Sequence, residues 1–384
     1  MSDDFFLRDG GGGEVSTSSS DTDFSVMWPA TCTLLFDEVH SLKTTTGLQL
    51  AVRHKSASLN VAMGKAVTPP RGDTPMTPDT LCDWQSTTKA ITAIAVAVAH
   101  EKRIVDVFQP VATYWPEFRK HDVTLAHCLT HVAGLAFAGI RLVPEQSTKE
   151  DICAAIADAQ PEHEPGEKAC YHPYSGCYIV AECVERASGV PWSDFVRENV
   201  LKPLGVADNI LLCFPTEDTF TAFKPRLAEL VSRPDDTLSY ADVMNHPCPA
   251  SGMRATAGAV ADVMACLARG GAPILKTDTL MMFTRRHRIG MLDELQGVVV
   301  DWSLGFAVDS ALGGTFASSE SYGHGGSQSS YALVDPEHSL SLAFAATNKP
   351  GARVHYDRVR RISDAIYKDL RLNATRHARA APVC

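Results

Sequence analysis

The sequence predicts an α/β (α+β) fold: an antiparallel sheet flanked by helices, built from both ends of the chain, with a mainly helical subdomain inserted between them. Three observations carry this expectation. Two β-prone runs lie near the start, helix-periodic segments fill the middle, and strand signals return before a final charged helix.

Residues 47–53 (GLQLAVR) and 58–64 (SLNVAMG) are short β-prone runs separated by His54 to Ala57, which predicts an antiparallel hairpin. From Thr87 to about residue 255, helical spacing recurs over 90–99, 125–130, 149–159, 176–187 and 192–201, with Pro and Gly between the segments. The run at 90–99 is the most apolar. It falls well short of the roughly 18 residues that span a bilayer, so it is predicted as a buried helix and no membrane partner is expected. After Gly271, strands are expected at 303–308, 331–334 and 339–345, and a helix at 354–370. The predicted organisation is a disordered, acidic, Gly/Ser-rich leader over 1–26, a sheet subdomain from 27–86 and 256–384, and a helical subdomain over 87–255. A cleft between the two subdomains is the expected place for a site.

Composition narrows the function. The chain has 384 residues, 45% of them hydrophobic, enough for a real core without metal or disulfide staples. A net charge of -10 argues against a nucleic-acid partner, which needs clustered Lys and Arg. The one basic run, Arg285-Arg286-His287-Arg288, is read as a solvated loop. Eleven scattered cysteines with no CxxC pair read as reduced thiols of a cytoplasmic protein, and the N-terminus lacks the features of a secretory signal. None of the 14 histidines stands in metal-ligand spacing, so no metal and no cofactor is expected.

Chemistry concentrates at Ser86-Thr87-Thr88-Lys89, at the mouth of the 90–99 helix. Helix positions i and i+3 share a face, so the Ser86 hydroxyl and the Lys89 amine can meet. A serine hydroxyl becomes nucleophilic when a neighbouring base takes its proton, and an amine beside an apolar helix can be desolvated enough to serve. Alone, the pattern is better read as a helix cap beside a surface lysine, since so short a pattern recurs by chance. Two further pieces accompany it. Tyr171 lies in a turn-rich segment, GEKACYHPYSG, where it could act as a second base or relay. Gly323-His324-Gly325-Gly326-Ser327 precedes a predicted strand, and its glycines would let backbone approach a substrate.

Taken in order, these pieces resemble the serine β-lactamase and penicillin-binding-protein superfamily, in particular its class C type, esterase-like branch with family VIII carboxylesterases and related acyltransferases. The resemblance covers nearly all of 28–370. It includes Arg103-Ile-Val-Asp106 through Tyr114-Trp-Pro-Glu-Phe118, Leu129-Thr-His131-Val-Ala-Gly134-Leu135, Ala181 to Gly189 with Pro203-Leu-Gly205, and Gly252-Met-Arg-Ala-Thr256 with Asp262. It implies a β-lactamase/transpeptidase-like fold, Ser86 as acylated nucleophile, Lys89 as proton acceptor, and Tyr171 as the proton shuttle, with Tyr174 a weaker rival. His324-Gly325-Gly326 stands at the family's Lys-Thr-Gly, and the oxyanion hole falls to the N–H groups of Ser86 and Ser327.

Two departures push away from antibiotic hydrolysis. The family's Tyr-x-Asn is Tyr171-His172-Pro173, which has no side-chain amide, and His324 replaces a lysine that greets a carboxylate. The expected substrate is therefore a small-molecule ester or similar acyl group, handled by a serine hydrolase. The alternative is an acyltransferase that passes the acyl group, from a small molecule or a carrier-bound thioester, to an alcohol or amine of a small metabolite. A scaffold that merely kept the fold is a third reading, and the retained Ser86, Lys89 and Tyr171 speak against it. His131 and His127 are expected to be structural. Trp84 and Tyr331 flank Ser86 and Ser327 and are candidates to line the acyl pocket, Trp84 among the substrate-binding residues.

Overall fold

The computed structural model describes residues 6–8, 14–17, 24–55, 57–69, 72–139, 142, 144, 147–230 and 246–372. The predicted hairpin is present as β3 (Gly47–His54) and β4 (Ala57–Val67), paired Gly47 to Gly64 through His54 to Ala57. The other end of the chain supplies β13 (Tyr322–Gly326), β14 (Ser330–Asp335) and β15 (Leu340–Ala346). β15 lies antiparallel on β3, so the two chain ends close one sheet. Among the described residues this sheet has ten strands. Its path is β1 (Phe6–Arg8), β2 (Glu14–Thr17), β4, β3, β15, β14, β13, β12 (Ala307–Val308) and β11 (Asp301–Trp302), with β5 (Thr74–Pro75) paired to β4. β1 and β2 fall inside the stretch expected to be a disordered leader.

Alternation along the central strands sorts side chains onto two cores. Ala51, Ala62, Ala332, Ala343 and Ala345 face one side with α9 (Ala257–Ala268), whose own sequence is dominated by small residues. Leu50, Val52, Val61, Leu333, Leu342 and Phe344 face the other, against α11 (Ala352–Asp369) and α2 (Pro29–Phe36). Small residues on one face let a helix approach the sheet closely, and large ones on the other fill the wider gap.

Between the ends lie α3 (Thr88–Glu101), α4 (Leu125–Leu129), α5 (Lys149–Asp158), α6 (Ser175–Ser188) and α7 (Trp192–Val196). α3 is buried continuously from Thr88 to Ala99, as expected for a helix apolar on every side. No described helix is long and apolar enough to cross a membrane.

Three expectations are corrected. The strand predicted over 303–308 is interrupted, because Ser303 donates to the Phe306 carbonyl in a turn where Gly305 has φ +101°. A side chain at Gly305 would run into Ala93 of α3, so this turn is where strand and helix touch. The helix at 192–201 changes to a π-helical turn at Arg197–Leu201. The basic run is no solvated loop: Arg288 is buried against Asp293, and Arg286 pairs with Asp301. Burial disfavours the Arg288 charge, and Asp293 with the Thr130 and Val300 carbonyls compensates it, which local charge density does not reveal.

Candidate active site

Ser86 sits in a single 3₁₀ turn (Gln85–Thr87) that runs directly into α3. The residue before it, Gln85, has φ +44°, a left-handed conformation that a non-glycine side chain adopts only when its surroundings hold it there. They do. The Gln85 N–H donates to Asp83 Oδ1 at 2.9 Å, Asp83 is paired with the nearly buried Arg254 at 3.1 Å, and Thr88 Oγ1 donates to the Gln85 carbonyl at 2.6 Å.

The helix then presents Lys89 one turn after Ser86. Lys89 is 3% exposed, and its Nζ donates to Ser86 Oγ at 3.1 Å, the Pro173 carbonyl at 2.8 Å and the Ala250 carbonyl at 2.9 Å. All three partners are neutral oxygens. A neutral amine in the same place would keep donating to the two carbonyls and turn its lone pair toward the serine hydroxyl. The geometry therefore serves both the acid and the base form of this group.

Tyr171 lies above the amine, its ring centroid 5.2 Å from Nζ. Its hydroxyl is buried and has no hydrogen-bond partner among the described residues. Tyr174 instead caps α6 through its carbonyl and packs against the main core, so Tyr171 is the tyrosine beside the serine–lysine pair.

β13 closes the opposite wall. β12 pairs with it only at Tyr322 and Gly323, which leaves the edge from His324 to Gly326 free on the side toward Ser86. Thr87 Oγ1 bonds the His324 carbonyl at 3.3 Å and shares Ser330 Oγ at 3.0 Å, while Ser330 Oγ donates to the Trp84 carbonyl at 2.7 Å. Gly326 comes so near that a Cβ there would lie 2.5 Å from the Trp84 carbonyl and 3.1 Å from Gln85 Cβ. The expected glycine-rich approach is thus a strand, with Gly326 required for contact with the Ser86 turn and the exposed Ser327 following it.

Burial, helped by the charge of Lys89, pushes the His324 imidazole down to about 3. Neutral His324 bonds the Gly325 carbonyl through Nδ1 at 2.8 Å, which makes Nε2 an acceptor, and this buried atom has no partner among the described residues. The ring is 6.1 Å from that of Tyr171. Burial likewise lowers His172 to about 3 and holds His131 well below the ordinary imidazole range. His131 lies 4.5 Å from the Tyr171 ring and its Nδ1 is 3.2 Å from that of His172. It is buried, as expected of a structural residue. His127 is half-buried and closes the capping box of α4 with Thr124.

Both aromatic candidates for the pocket lie in the core. Trp84 is fully buried with its indole N–H on the Ala255 carbonyl at 2.9 Å, so it braces the Ser86 turn from beneath. Tyr331 points to the far face of the sheet, into the core under α11. Sequence reading missed the Pro173 and Ala250 carbonyls that hold Lys89, and it missed Trp302, which packs edge-on to His131 at 4.4 Å and to His324 at 5.6 Å. Nothing in local spacing signals them, since the two carbonyls each act across more than 80 residues of chain and Trp302 reaches back to His131.

The chain is similar to known proteins. The chain is 27% identical over 139 residues to Penicillin-binding protein 4* of Bacillus subtilis, covering 34% of this chain and 31% of that one. It is 26% identical over 161 residues to Monacolin J acid methylbutanoyltransferase of Aspergillus terreus (35% and 38%), and 24% identical over 302 residues to Esterase/beta-lactamase LipL of Mycobacterium tuberculosis (67% and 67%). It thus spans about a third of the length of the first two relatives. Solved structures share the fold more fully. A penicillin-binding protein homologue from Caulobacter crescentus superposes with a TM-score of 0.74 at 23% identity, covering 92% of this chain and 99% of that one. A family VIII carboxylesterase gives 0.74 at 24% (89% and 97%), and a mutant of the simvastatin synthase LovD from Aspergillus terreus 0.72 at 20% (92% and 99%). The Beta-lactamase family model matches residues 37–366, and the chain belongs to that family.

Proposed function

We propose that this protein is a serine hydrolase that forms an acyl-enzyme on Ser86 from esters or similar activated acyl donors. The observation that carries the reading is the placement of Lys89 Nζ, with two of its bonds tied to carbonyls and the third directed at Ser86 Oγ. The neutral amine takes the hydroxyl proton as Oγ attacks the acyl carbonyl carbon. Negative charge gathers on the former carbonyl oxygen, to which the N–H groups of Ser86 and Ser327 donate. Donors of this kind are worth about 10²- to 10³-fold each in rate. Collapse breaks the bond to the leaving alkoxide or thiolate, and Tyr171 passes it the proton held by Lys89. Tyr171 and Lys89 then take a proton from the incoming water, which attacks the acyl carbon; collapse breaks the bond to Ser86 Oγ, and Lys89 returns the proton to that oxygen.

A second reading, transfer of the acyl group to an alcohol or amine, uses the same atoms. Two observations favour it: relatives named as acyltransferases, and the unpartnered His324 Nε2, which can accept a hydrogen bond from an incoming hydroxyl. The donor is a small molecule or a carrier-bound thioester. The ten cysteines of the described residues are all free, which supports a reducing, cytoplasmic setting.

The test is intact-mass spectrometry with a panel of activated esters, thioesters and a β-lactam, on wild type and Ser86→Ala. A stable acyl adduct on wild type and none on folded Ser86→Ala is expected; an adduct retained on Ser86→Ala ends the reading. Product analysis with and without an added alcohol separates hydrolysis from transfer.

A further inference from the structure

The Tyr171 hydroxyl has no bond of its own among the described residues, so its position is set by its main chain and by the rings around it. Both lead to one buried ion pair. Asp293, its side chain fully buried, accepts from the Tyr171 N–H at 3.1 Å with Oδ1, and with Oδ2 it faces Arg288 Nη1 at 3.2 Å. Oδ1 also accepts from the Gln296 N–H at 3.1 Å, and the Glu294 N–H donates to the Ala169 carbonyl at 2.9 Å. These bonds clamp the hairpin of β9 (Leu292–Asp293) and β10 (Val298–Val299) to the extended segment before Tyr171, which meets Asp293 in a single bridge at Ala169.

Arg288 extends the clamp. Its Nη1 donates to the Thr130 carbonyl at 3.2 Å, the residue before His131, and its Nη2 to the Val300 carbonyl at 3.1 Å. Its guanidinium lies 5.4 Å from the Trp302 ring centroid, Trp302 meets His131 edge-on, and His131 lies against the Tyr171 ring. One arginine thus joins the three segments that wall in the phenol. Burying an ion pair is costly unless further bonds satisfy both partners, and a hydrophobic pair of like volume is often as stable. Both partners here are satisfied by the backbone that borders Tyr171.

Resting on the acyl-enzyme reading, we propose that Arg288 and Asp293 are positioning residues that fix the Tyr171 phenol over Ser86 and Lys89. Neither touches the reacting atoms. A displacement of about 1 Å can cost 10²-fold in rate, so loosening this clamp should slow acylation without abolishing it.

The test is a double-mutant cycle read as single-turnover acylation rate by intact mass. Asp293→Ala is expected to slow acylation about 10- to 100-fold in the wild-type background and less than about 3-fold in Tyr171→Phe, where there is no phenol to position. Equal loss in both backgrounds, or a folded Asp293→Ala with the wild-type rate, overturns the proposal. Asp293→Asn keeps the shape and the Oδ1 acceptor; it provides the folded variant if Asp293→Ala does not fold, and it should retain more activity. A second readout does not depend on turnover. With 3-fluorotyrosine at position 171, the fluorine resonance should move or broaden in Asp293→Asn, and an unchanged resonance overturns the proposal even if wild type forms no adduct, the result that would instead end the acyl-enzyme reading.

Discussion

Replacing Lys89 by methionine separates what this amine does for the fold from what it does for the reaction. The side chain is 3% exposed and supplies the donors for the Pro173 and Ala250 carbonyls, at 2.8 and 2.9 Å. Methionine occupies nearly the same volume, so no sizeable cavity forms, but both carbonyls lose their donor. Each buried acceptor left unpaired costs about 1 to 3 kcal/mol. Removing a buried amine offsets part of that. A net destabilisation of about 1 to 4 kcal/mol is expected, small enough for a domain of ordinary stability, about 5 to 15 kcal/mol, to remain folded. The kinetic effect is larger. A positioned general base contributes about 10²- to 10⁴-fold, so the barrier should rise by roughly 3 to 5 kcal/mol. Urea unfolding reads the first quantity, and single-turnover acylation of an activated ester under native conditions reads the second. A folded Lys89→Met that acylates within about tenfold of wild type would refute the reasoning, because the amine would then be holding two carbonyls and nothing more.

Gly326→Ala should lower kcat/KM by about 10²-fold or more, because the new Cβ would meet Ser330 Oγ and the Trp84 carbonyl and push β13 off the Ser86 turn; Gly325→Ala, whose nearest neighbour is Leu312 Cδ1 at 3.4 Å, should cost far less. Steady-state assays of the two variants side by side check this. Folding stability should fall in acid. His172, His324 and His355 are held at about 3 when folded, chiefly by burial, and they protonate near 6.5 when unfolded. Their folded values lie below the unfolded ones, so their contribution is complete above pH about 6.5 and is lost as pH drops toward 3, at up to about 1.4 kcal/mol per pH unit for each. A urea midpoint unchanged from pH 7 to about 4 would contradict it. Finally, neutral His324 places no cation where the family has a lysine, and Pro173 carries no amide. The specificity constant for short aryl or thioester substrates should exceed that for a cephalosporin by at least about two orders of magnitude. The pair Pro173→Asn and His324→Lys should narrow the ratio, and equal efficiencies on the wild type would show that these two positions do not set the preference.

The sequence by itself determined the elements and the chemistry that lie close along the chain. The hairpin of β3 and β4 follows from two β-prone runs and a short connection, α3 from an unbroken apolar segment, and the Ser86–Lys89 pair from i, i+3 spacing on a helix. Periodicity and helix geometry act over a few residues, so a few residues suffice to read them. The segments of Tyr171 and His324 stand out in the sequence, but their place beside Lys89 was legible only through family resemblance, because nothing within those segments says that they face it. What tertiary structure alone decided is which side chains are buried and what they meet there. Trp84 went beneath the Ser86 turn, His324 lost its charge to burial, and Arg288, from a run that looks solvated, became half of an ion pair beside Tyr171. Burial and electrostatic partnership depend on surfaces brought together from distant parts of the chain. Thr130, Tyr171 and Asp293 share one arginine-centred cluster although as many as 158 residues separate its bonded members, and no local pattern encodes such a meeting.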